Sequence, residues 1–444
     1  MAKRTQRNFE INNQKTFKEK LFSWSQQFET AIWLDSNNYE QKYASFDCCL
    51  AADEFTAIKT DYKNAFDKLK EYQSYTNDYL FGYISYDVKN DVEKLSSNNF
   101  DGLIFPDLYF FQPQKLIFIK GNTVEFHYLQ MIDDELEKDF KNISTTATNQ
   151  LFNINKSTTK QSSEENKIKI KLRIHKDQYY KKITKVLNHI NRGDIYEANF
   201  CQEFYAENTN INPYKIYTHL NKISAPPFAT FFKHENLYLL SATPERYIKK
   251  EGLKIISQPI KGTAKRFIDP IKDTKIAFDL TRDEKERSEN IMIVDLVRND
   301  LSKTAVKGSV KVEELCKVYS FKQVHQMIST IVSEIPPSTH PVDIIKDTFP
   351  MGSMTGAPKI SAMEIIEELE ETKRGLYSGT VGYFTPDGNF DFNVIIRSIL
   401  YNATKNYVSF SVGGAITSKS TPEKEYKECL LKAKAMKYVL LNSK

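Results

Sequence analysis

Cysteine is rare in this sequence, and long apolar runs are absent. Five cysteines among 444 residues form an odd set without a Cys-x-x-Cys pair, which argues against a disulfide framework and a zinc ribbon. They are Cys48, Cys49, Cys201, Cys316 and Cys429. The first residues are polar, and no run reaches the roughly 18 apolar residues of a membrane helix. We therefore expect a protein of the reducing cytoplasm that is neither exported nor inserted in a membrane.

The sequence also lacks segregated charge. Its 62 basic residues are mixed with 57 acidic ones, so the net charge of +5 forms no basic stripe that would bind nucleic acid. A content of 40% hydrophobic and 27% charged residues is ordinary for a globular protein. At this length we expect two domains, or one large domain with an appended one, and no nucleic-acid partner.

A polar segment divides the chain. Residues 153–167 contain almost no apolar residue, and we interpret residues 151–168 as a linker or long surface loop. Before it, residues 1–150 have short apolar and alternating runs typical of strands. After it, residues 169–444 combine long helices with consecutive strands. Runs of adjacent strands favour an antiparallel α+β fold over a doubly wound sheet.

Glycine is scarce and unevenly distributed. Only 15 glycines occur, below the average of about 7%, and eight of them lie between Gly352 and Gly414. This concentration indicates backbone that approaches a ligand closely, with a set of tight turns as the alternative. The glycine-rich stretch leads into a predicted helix that starts at Lys359, and such a helix N-terminus is suited to binding anions. The buried stripe of this helix should include Ile360, Met363 and Ile366. The spacing of a P-loop is absent, which argues against nucleotide chemistry.

Two other predicted helices carry paired carboxylates. Thr281 and Glu284 have the spacing of a capping box, which predicts a helix over 282–299 with Glu286 and Glu289 on one face. Pro422 gives a second start signal, and the chain then stays helix-prone almost to its end. On that helix one side is formed by Glu425, Glu428 and Lys432.

Such carboxylate pairs on two helices suit one hard divalent cation. They leave positions for water and substrate oxygens, as Mg²⁺ prefers, and the lack of a His or Cys ligand pattern argues against zinc. Any single pair is more often a solvated helix face. The combination with the glycine-rich segment indicates a metal-assisted site for a small anion, and therefore an enzyme.

Several long motifs resemble the chorismate-binding enzymes. They are Asp295-Leu-Val-Arg-Asn-Asp300, Met351-Gly-Ser-Met-Thr-Gly-Ala-Pro-Lys-Ile360, Val394-Ile-Ile-Arg397, and Gly413-Gly-Ala-Ile followed by Pro422-Glu-Lys-Glu-Tyr-Lys-Glu428. The resemblance runs from about residue 170 to the end, and a weaker one at Leu34-Asp-Ser36 and Gly82-Tyr-Ile-Ser-Tyr-Asp87 reaches residues 1–150. It implies an α+β fold with two antiparallel β-sheets packed face to face, helices outside, and chorismate and Mg²⁺ in a cleft between them.

The resemblance also implies roles for individual residues. The metal would be coordinated by Glu289 and Glu428, with Glu286 and Glu425 close by, and would bind the ring carboxylate of the substrate. Arg397 and Tyr377 match residues that hold the enolpyruvyl carboxylate. The cradle would be completed by Ser353, Lys432, Gly413 and Gly414. Tyr377 and Ser353 have packing or capping as alternatives.

Lys261 separates the members of this family. In the turn Pro259-Ile-Lys-Gly-Thr263, members that form 4-amino-4-deoxychorismate typically carry Lys, and members that form anthranilate carry Ala. A neutral amine could attack C2 while the C4 hydroxyl leaves, and ammonia could then attack C4 and displace the lysine. Glu245 matches the general acid that protonates the leaving hydroxyl, with a salt bridge to Arg246 or another cation as the alternative. We therefore expect amination of chorismate on the route to 4-aminobenzoate and folate.

Three positions depart from the family pattern. Glu197 replaces a water-activating lysine of the isochorismate-forming and salicylate-forming members, and amine-forming members usually have Gln there. Gln326 replaces a histidine that anthranilate-forming members use around pyruvate elimination, while His325 sits one place earlier. The tryptophan-pocket segment of relatives appears here as Ser224-Ala-Pro-Pro-Phe228, which puts feedback by tryptophan in doubt.

We expect two partner proteins, and two alternative functions remain open. No segment resembles a glutaminase, so we expect a separate glutamine amidotransferase subunit to supply ammonia and a separate lyase to release pyruvate. One alternative is component I of an anthranilate-forming enzyme. Another is a non-catalytic subunit that holds chorismate, which the joint presence of Lys261, Glu245 and all four metal-site glutamates disfavours.

Overall fold

The structure, a computed structural model, describes residues 3–39, 41–145, 168–322 and 324–442. These residues form 20 strands and 11 α-helices. The strands are β1 (Arg4–Glu10), β2 (Thr30–Asp35), β3 (Cys48–Thr60), β4 (Leu80–Ile84), β5 (Leu108–Lys120), β6 (Thr123–Leu129), β7 (Lys171–Leu172), β8 (Glu197–Ala206), β9 (Phe228–His234), β10 (Leu237–Thr243), β11 (Arg246–Glu251), β12 (Lys254–Gln258), β13 (Ile260–Lys265), β14 (Lys311–Ser320), β15 (Val324–Glu334), β16 (Gly356–Ala357), β17 (Thr380–Phe384), β18 (Phe390–Val394), β19 (Ser398–Asn402) and β20 (Tyr407–Ile416). The helices are α1 (Gln14–Trp24), α2 (Ala65–Thr76), α3 (Lys89–Val92), α4 (Leu136–Thr145), α5 (Lys176–Arg192), α6 (Pro213–Ser224), α7 (Pro270–Arg282), α8 (Glu284–Ser302), α9 (Pro341–Thr348), α10 (Lys359–Leu369) and α11 (Pro422–Asn442).

All pairings between these strands are antiparallel, and they form two branches joined by the long strands β3 and β5. One branch has the order β1-β6-β5-β3-β2-β9-β10-β19-β20-β8. The other runs β3-β5-β4-β17-β18-β11-β12-β15, and β13 and β14 also pair with β15. A register shift after Glu54, next to the positive φ of Asp53, marks where β3 passes from one branch to the other.

The two branches pack face to face. Phe232 of β9 makes an edge contact with Tyr83 of β4, with ring centroids 5.4 Å apart. Apolar residues of both branches form one buried cluster there, and a second cluster lies between the first branch and helices that include α1, α5, α6 and α11. The predicted α+β fold, with two antiparallel sheets face to face and helices outside, is confirmed. Strands from residues 1–150 and 169–444 share both branches.

The helix predicted over 282–299 is observed as α8, but the prediction that Thr281 caps it is wrong. Asp283 is the N-cap, and its side chain accepts a hydrogen bond from the backbone N–H of Glu286 at 2.9 Å. Thr281 instead belongs to the last turn of α7 and donates its hydroxyl hydrogen bond to the carbonyl oxygen of Phe278. The two helices follow each other with one cap residue between them.

The helix predicted from Lys359 is observed as α10, and one member of its expected buried stripe is wrong. Met363 and Ile366 are buried, whereas Ile360 is 47% exposed. At about 100° per residue, Ile360 lies about 120° around the helix from Ile366 and about 180° from Leu369, which face the core.

All five cysteines are buried, and none forms a disulfide. No described helix is both long enough and apolar enough to span a membrane. Residues 151–167 of the predicted linker lie outside the described part of the chain.

Candidate active site

A β-bulge in β13 contains Lys261. Strand β13 pairs with β15 at Ile260 and again from Thr263, and the register shifts between them. A bulge redirects the side chains of the strand that contains it. The backbone at the bulge is held by Asn290 of α8, whose side-chain amide donates to the Lys261 carbonyl oxygen at 3.2 Å.

The neighbouring Gly262 explains why this turn needs glycine. Its φ of +94° is a left-handed conformation that other residues rarely adopt. A Cβ at this position would lie 3.1 Å from Met327 Cβ and 3.3 Å from Glu286 Cβ. The bulge therefore packs closely against both β15 and α8, which brings Lys261 to the helix that carries Glu286 and Glu289.

The Lys261 side chain faces three carboxylates. Its charge opposes the increase in pKa that burial causes in Glu245 and Glu197, and it contributes to the lowered pKa of Glu428. Among the described residues, no hydrogen bond or ion pair holds the Lys261 ammonium group. The lysine is therefore surrounded by acidic groups without being fixed to one of them.

Glu245 is a buried carboxyl group with an unusual protonation equilibrium. It is 4% exposed, and burial raises its pKa to about 7. Ser353 donates a hydrogen bond to Glu245 Oε1 at 2.7 Å, which limits this increase. Arg246, the expected alternative partner, instead forms two hydrogen bonds with Asp391, at 2.9 and 3.0 Å. Glu245 can therefore hold a proton near neutral pH.

The acidic residues of α8 and α11 converge. A Cβ on Gly414 would lie 3.5 Å from Glu425 Oε2, 3.6 Å from Glu428 Oε1 and 3.6 Å from Lys432 Nζ. Lys432 Nζ lies 2.7 Å from Glu428 Oε1 and donates to the Gly413 carbonyl oxygen at 2.8 Å. Burial would raise the pKa of Glu428, but Lys432 reverses the effect and lowers it. The absence of a side chain at Gly414 therefore keeps this side of α11 open.

Lys285, which the sequence reasoning missed, lies among the same carboxylates. Its Nζ is 3.5 Å from Glu289 Oε1, and its charge also interacts with Glu286, Glu425 and Glu428. In this arrangement no three acidic, His or Cys side chains of the described residues are close enough to share a metal. The only sequence signal for Lys285 is its i,i+4 spacing to Glu289.

Burial and mutual repulsion raise the pKa of two of these glutamates. For Glu286 the first cause is burial and the second is the charge of Glu289. For Glu425 burial again comes first, and Glu428 adds to the effect. The negative charges of the four carboxylates thus act on one another, and an additional cation among them would be stabilised.

The charge of Arg397 interacts with Tyr377 and with Glu428 of this acidic group. Arg397 adopts a φ of +52°, which is uncommon for a residue with a side chain, and no hydrogen bond or ion pair of its guanidinium occurs within the described residues. Burial lowers its pKa, and the charges of Tyr377 and Glu428 oppose that decrease. Tyr377 is buried and accepts a weak hydrogen bond from the Cys201 thiol at 3.7 Å. Arg397 is thus a half-buried cation without a fixed partner.

Gly413 is required by a close approach of two strands. A Cβ there would lie 2.3 Å from Cys201 Sγ and 2.7 Å from the Phe200 carbonyl oxygen. The structure therefore brings all the predicted site residues together in two linked groups. Lys261, Glu245 and Ser353 form one, and the residues of α8, α11 and β20 form the other, with Arg397 and Tyr377 joined to it through the interaction of Arg397 with Glu428. Lys261 faces Glu428 between the two groups.

His325 and Gln326 have different environments. The ring of His325 is occupied at both nitrogens, with Nε2 3.0 Å from Asp273 Oδ1 and Nδ1 2.8 Å from Ser320 Oγ. Gln326 lies opposite Thr263 of β13, and its Oε1 is buried without a hydrogen-bond partner among the described residues. The imidazole is therefore a structural group, and no ring nitrogen is free for proton transfer.

The chain belongs to the chorismate-binding enzymes, because the family model "chorismate binding enzyme" matches residues 29–438. The resemblance inferred from the motifs is thereby confirmed. Aminodeoxychorismate synthase component 1 of Escherichia coli is 41% identical over 253 residues, which cover 57% of this chain and 55% of that protein. The protein of the same name from Bacillus subtilis is 30% identical over 361 residues, covering 81% of this chain and 76% of that protein. A probable chloroplastic aminodeoxychorismate synthase of rice is 35% identical over 396 residues, covering 82% of this chain and 44% of that protein.

Solved structures share the fold. Anthranilate synthase component I of Streptococcus pneumoniae superposes with a TM-score of 0.75 at 24% identity, covering 90% of this chain and 93% of that one. The isochorismate synthase MenF of Escherichia coli superposes with a TM-score of 0.73 at 15% identity, covering 99% and 95%. At these identities the likeness establishes the fold. The matched regions span about half the length of the rice and Escherichia coli relatives.

Proposed function

We propose that this chain is an aminodeoxychorismate synthase component I, which converts chorismate and ammonia to 4-amino-4-deoxychorismate for 4-aminobenzoate and folate synthesis. The observation that carries the proposal is the position of Lys261 on a bulge, where it faces the protonatable carboxyl of Glu245 and forms no ion pair with any described residue. The names of the relatives from Escherichia coli and Bacillus subtilis support the same reaction.

In the first step, Lys261 gives up a proton to solvent, and the resulting amine attacks C2 of chorismate to leave a protonated nitrogen on the ring. The new C2–N bond forms as the ring double bonds shift and the C4–O bond breaks, and Glu245 donates a proton so that the hydroxyl leaves as water. A carboxyl with a pKa of about 7 is protonated in a large fraction of molecules at neutral pH. Ser353, 2.7 Å from Oε1, orients the acid.

In the second step, ammonia attacks C4. The double bonds shift back, the C2–N bond breaks, and Lys261 is released as an amine while the attacking nitrogen loses one proton. The enolpyruvyl group is retained, because no ring nitrogen of His325 is free to assist its elimination. A separate lyase is therefore needed to release pyruvate.

The oxygen donors of the acidic group suit a bound Mg²⁺, which would draw them closer together than they lie in this structure. Glu286, Glu289, Glu425 and Glu428 offer oxygen donors alone, and the glycine at position 414 leaves open the space beside two of them. We expect Glu289 and Glu428 to hold the ion, with Glu286 and Glu425 close by and with Lys285 displaced from the group. When bound, Mg²⁺ would neutralise the ring carboxylate of the substrate.

Arg397 and Lys432 provide the remaining positive charge. The guanidinium of Arg397 is suited to the planar enolpyruvyl carboxylate, and Tyr377 lies beside it. Lys432, fixed between Glu428 and the Gly413 carbonyl oxygen, stays charged and balances the acidic group. These contacts hold the substrate anion so that its ring faces Lys261.

We further propose a separate glutamine amidotransferase subunit as the source of ammonia, since the relatives from Escherichia coli and Bacillus subtilis are named as component 1 of their synthases. The main alternative reaction, that of anthranilate synthase component I, is disfavoured by Lys261 and by the engaged ring of His325. A non-catalytic chorismate-binding subunit is disfavoured by the unpaired Lys261 beside Glu245.

The test is mass spectrometry of the product formed from chorismate, Mg²⁺ and an ammonium salt without a partner subunit. We expect a product in which the hydroxyl of chorismate is replaced by an amino group and the enolpyruvyl group is retained. Its formation should stop when a chelator removes Mg²⁺. Anthranilate with free pyruvate would establish the alternative reaction, and an isomer of chorismate would identify water as the nucleophile.

A further inference from the structure

Asn290 is a buried amide of α8 whose hydrogen bonds all go to neighbouring strands. It lies on the inner face of the helix and is 1% exposed. Its side-chain nitrogen donates to the carbonyl oxygens of Lys261 and Met327, each at 3.2 Å. Its Oδ1 accepts a hydrogen bond from the Ser329 hydroxyl and a weak one from the Cys316 thiol at 3.6 Å. Both ends of the amide therefore connect α8 to the sheet.

Ser329 determines which end of the amide faces the Lys261 bulge. Its Oγ accepts a hydrogen bond from the Cys316 N–H at 2.9 Å, so its own hydroxyl hydrogen is available to Asn290 Oδ1. The amide nitrogen is thereby left to donate to the two carbonyl oxygens. The orientation of Asn290 is thus set by its surroundings.

The two carbonyl oxygens lie on opposite sides of the bulge. Because of the register shift, Lys261 and Gly262 of β13 lie opposite one residue of β15, Met327. A bulge of this kind disrupts the hydrogen-bond ladder between two strands. Asn290 donates to one carbonyl oxygen from each strand at this disruption. It therefore ties the bulge to α8 where the pairing of the strands is interrupted.

The bulge carries two groups that the proposed reaction uses. Lys261 is the nucleophile, and the backbone N–H of Ile260 donates a hydrogen bond to the Glu245 carboxyl. Burial raises the pKa of Glu245, and the Ser353 hydroxyl, the Lys261 charge and the Ile260 N–H oppose that increase. Two of these three opposing groups belong to the bulge. A displacement of the bulge would therefore move the nucleophile and alter the acid at the same time.

We propose that Asn290 is a positioning residue, which holds the Lys261 bulge against the helix that carries Glu286 and Glu289. The inference rests on the proposed amination. Asn290 acts through the backbone of Lys261. Gly262 leaves this backbone able to adopt other conformations, so a side chain is needed to fix it. Misplacement of a reacting group by about 1 Å can slow a reaction by about 10²-fold.

The experiment compares Asn290→Leu and Asn290→Ala with the wild type in ammonium-dependent turnover. Leucine nearly keeps the volume of the side chain, alanine favours the helix, and both remove the two donors. We expect kcat to fall by about 10- to 100-fold in both variants. The KM for chorismate should stay within about threefold, because the proposed contacts of Arg397 and of the metal site with chorismate are unchanged.

Cys316→Ala is the matched control. It removes a buried neighbour of the same amide and leaves both donors of Asn290 in place. Its kcat should stay within about twofold of the wild type. The pH profile then separates positioning from general destabilisation. A displaced bulge opposes the raised pKa of Glu245 less, so the alkaline decline in turnover should move to higher pH in both Asn290 variants and stay in place in Cys316→Ala.

The outcomes separate this inference from the proposed function. An aminated product from the wild type, with Asn290 variants that match Cys316→Ala in kcat and pH profile, would overturn the positioning role and leave the function standing. A loss of kcat with an unmoved profile, or with an equal rise in the KM for chorismate, would also overturn it, because general damage to the site has that effect. A wild type that forms no aminated product would overturn the proposed function, and the role of Asn290 with it.

Discussion

Replacement of Glu245 by glutamine should make the protein more stable at alkaline pH. Burial raises the pKa of Glu245 from 4.5 to about 7, so the folded state binds this proton more tightly than the unfolded state. The stabilisation is complete below the unfolded value and is lost as the pH rises toward the folded value. From the two values, the wild type loses about 3 kcal/mol of unfolding free energy from this group between pH 4 and pH 8.

The Glu245→Gln variant removes this pH-dependent loss of unfolding free energy but keeps the hydrogen bond from Ser353. Glutamine has nearly the same shape, and its amide oxygen can still accept the hydrogen bond from Ser353 that is now 2.7 Å long. Other ionisable groups titrate in both proteins and cancel in the difference. The unfolding free energy of Glu245→Gln minus that of the wild type should therefore increase by about 3 kcal/mol from acid to alkaline pH.

Urea unfolding between pH 4 and pH 8, without chorismate or Mg²⁺, measures this difference. Glu364→Gln, at an exposed position of α10, controls for the removal of a carboxylate as such. Turnover should fall by about 10²- to 10⁴-fold in Glu245→Gln, because a proton donor is lost, and wild-type turnover should decline above about pH 7. A stability difference that stays constant over this pH range would refute the buried, protonatable carboxyl and the assignment of the acid.

Three further substitutions test neighbouring contacts. Lys261→Ala should slow amination by about 10³-fold or more while the urea midpoint changes little, and unchanged turnover would end the nucleophile hypothesis. Ser353→Ala removes a donor to the Glu245 carboxylate, so the pKa of Glu245 should rise further and the alkaline decline in turnover should move to higher pH; an unmoved profile would contradict this. Gly262→Ala should cost about 1 to 3 kcal/mol of unfolding free energy in urea, because its φ is +94° and Met327 Cβ would lie 3.1 Å from the new methyl group; a neutral effect would show that the bulge can relax.

Local sequence signals predicted the elements better than their ends. Pro at the first helical position correctly marked Pro422 as the start of α11, and the consecutive strands of residues 169–444 correctly indicated antiparallel pairing. The cap at Thr281 was wrong because Asp283 offers a competing oxygen two residues later, in the junction between α7 and α8. Spacing alone cannot choose between two cap residues when another helix ends there.

The sequence motifs predicted which residues form the candidate site, but they did not predict the contacts between those residues. Lys285 was missed because its interactions with Glu425 and Glu428 depend on how α8 and α11 meet, across a large separation in the chain. His325 is engaged by Asp273, 52 positions away, and no local pattern of the sequence shows that pairing. Glu197 was noticed as unusual, but its unpaired Oε2 depends on the packing of β8 against β16.

Two carboxyl groups that face the same lysine have opposite pKa shifts. Glu245 is fully enclosed, and its pKa of about 7 keeps a proton available. Glu428 is partly exposed and lies 2.7 Å from Lys432, so its pKa is lowered and it stays ionised. When the surroundings shift the pKa values of two carboxyl groups in opposite directions, one group can act as an acid and the other as an anion in the same site. Because Lys261 interacts with both, the proposed reaction has a proton donor for the leaving hydroxyl on one side of the amine and an anion of the proposed metal site on the other.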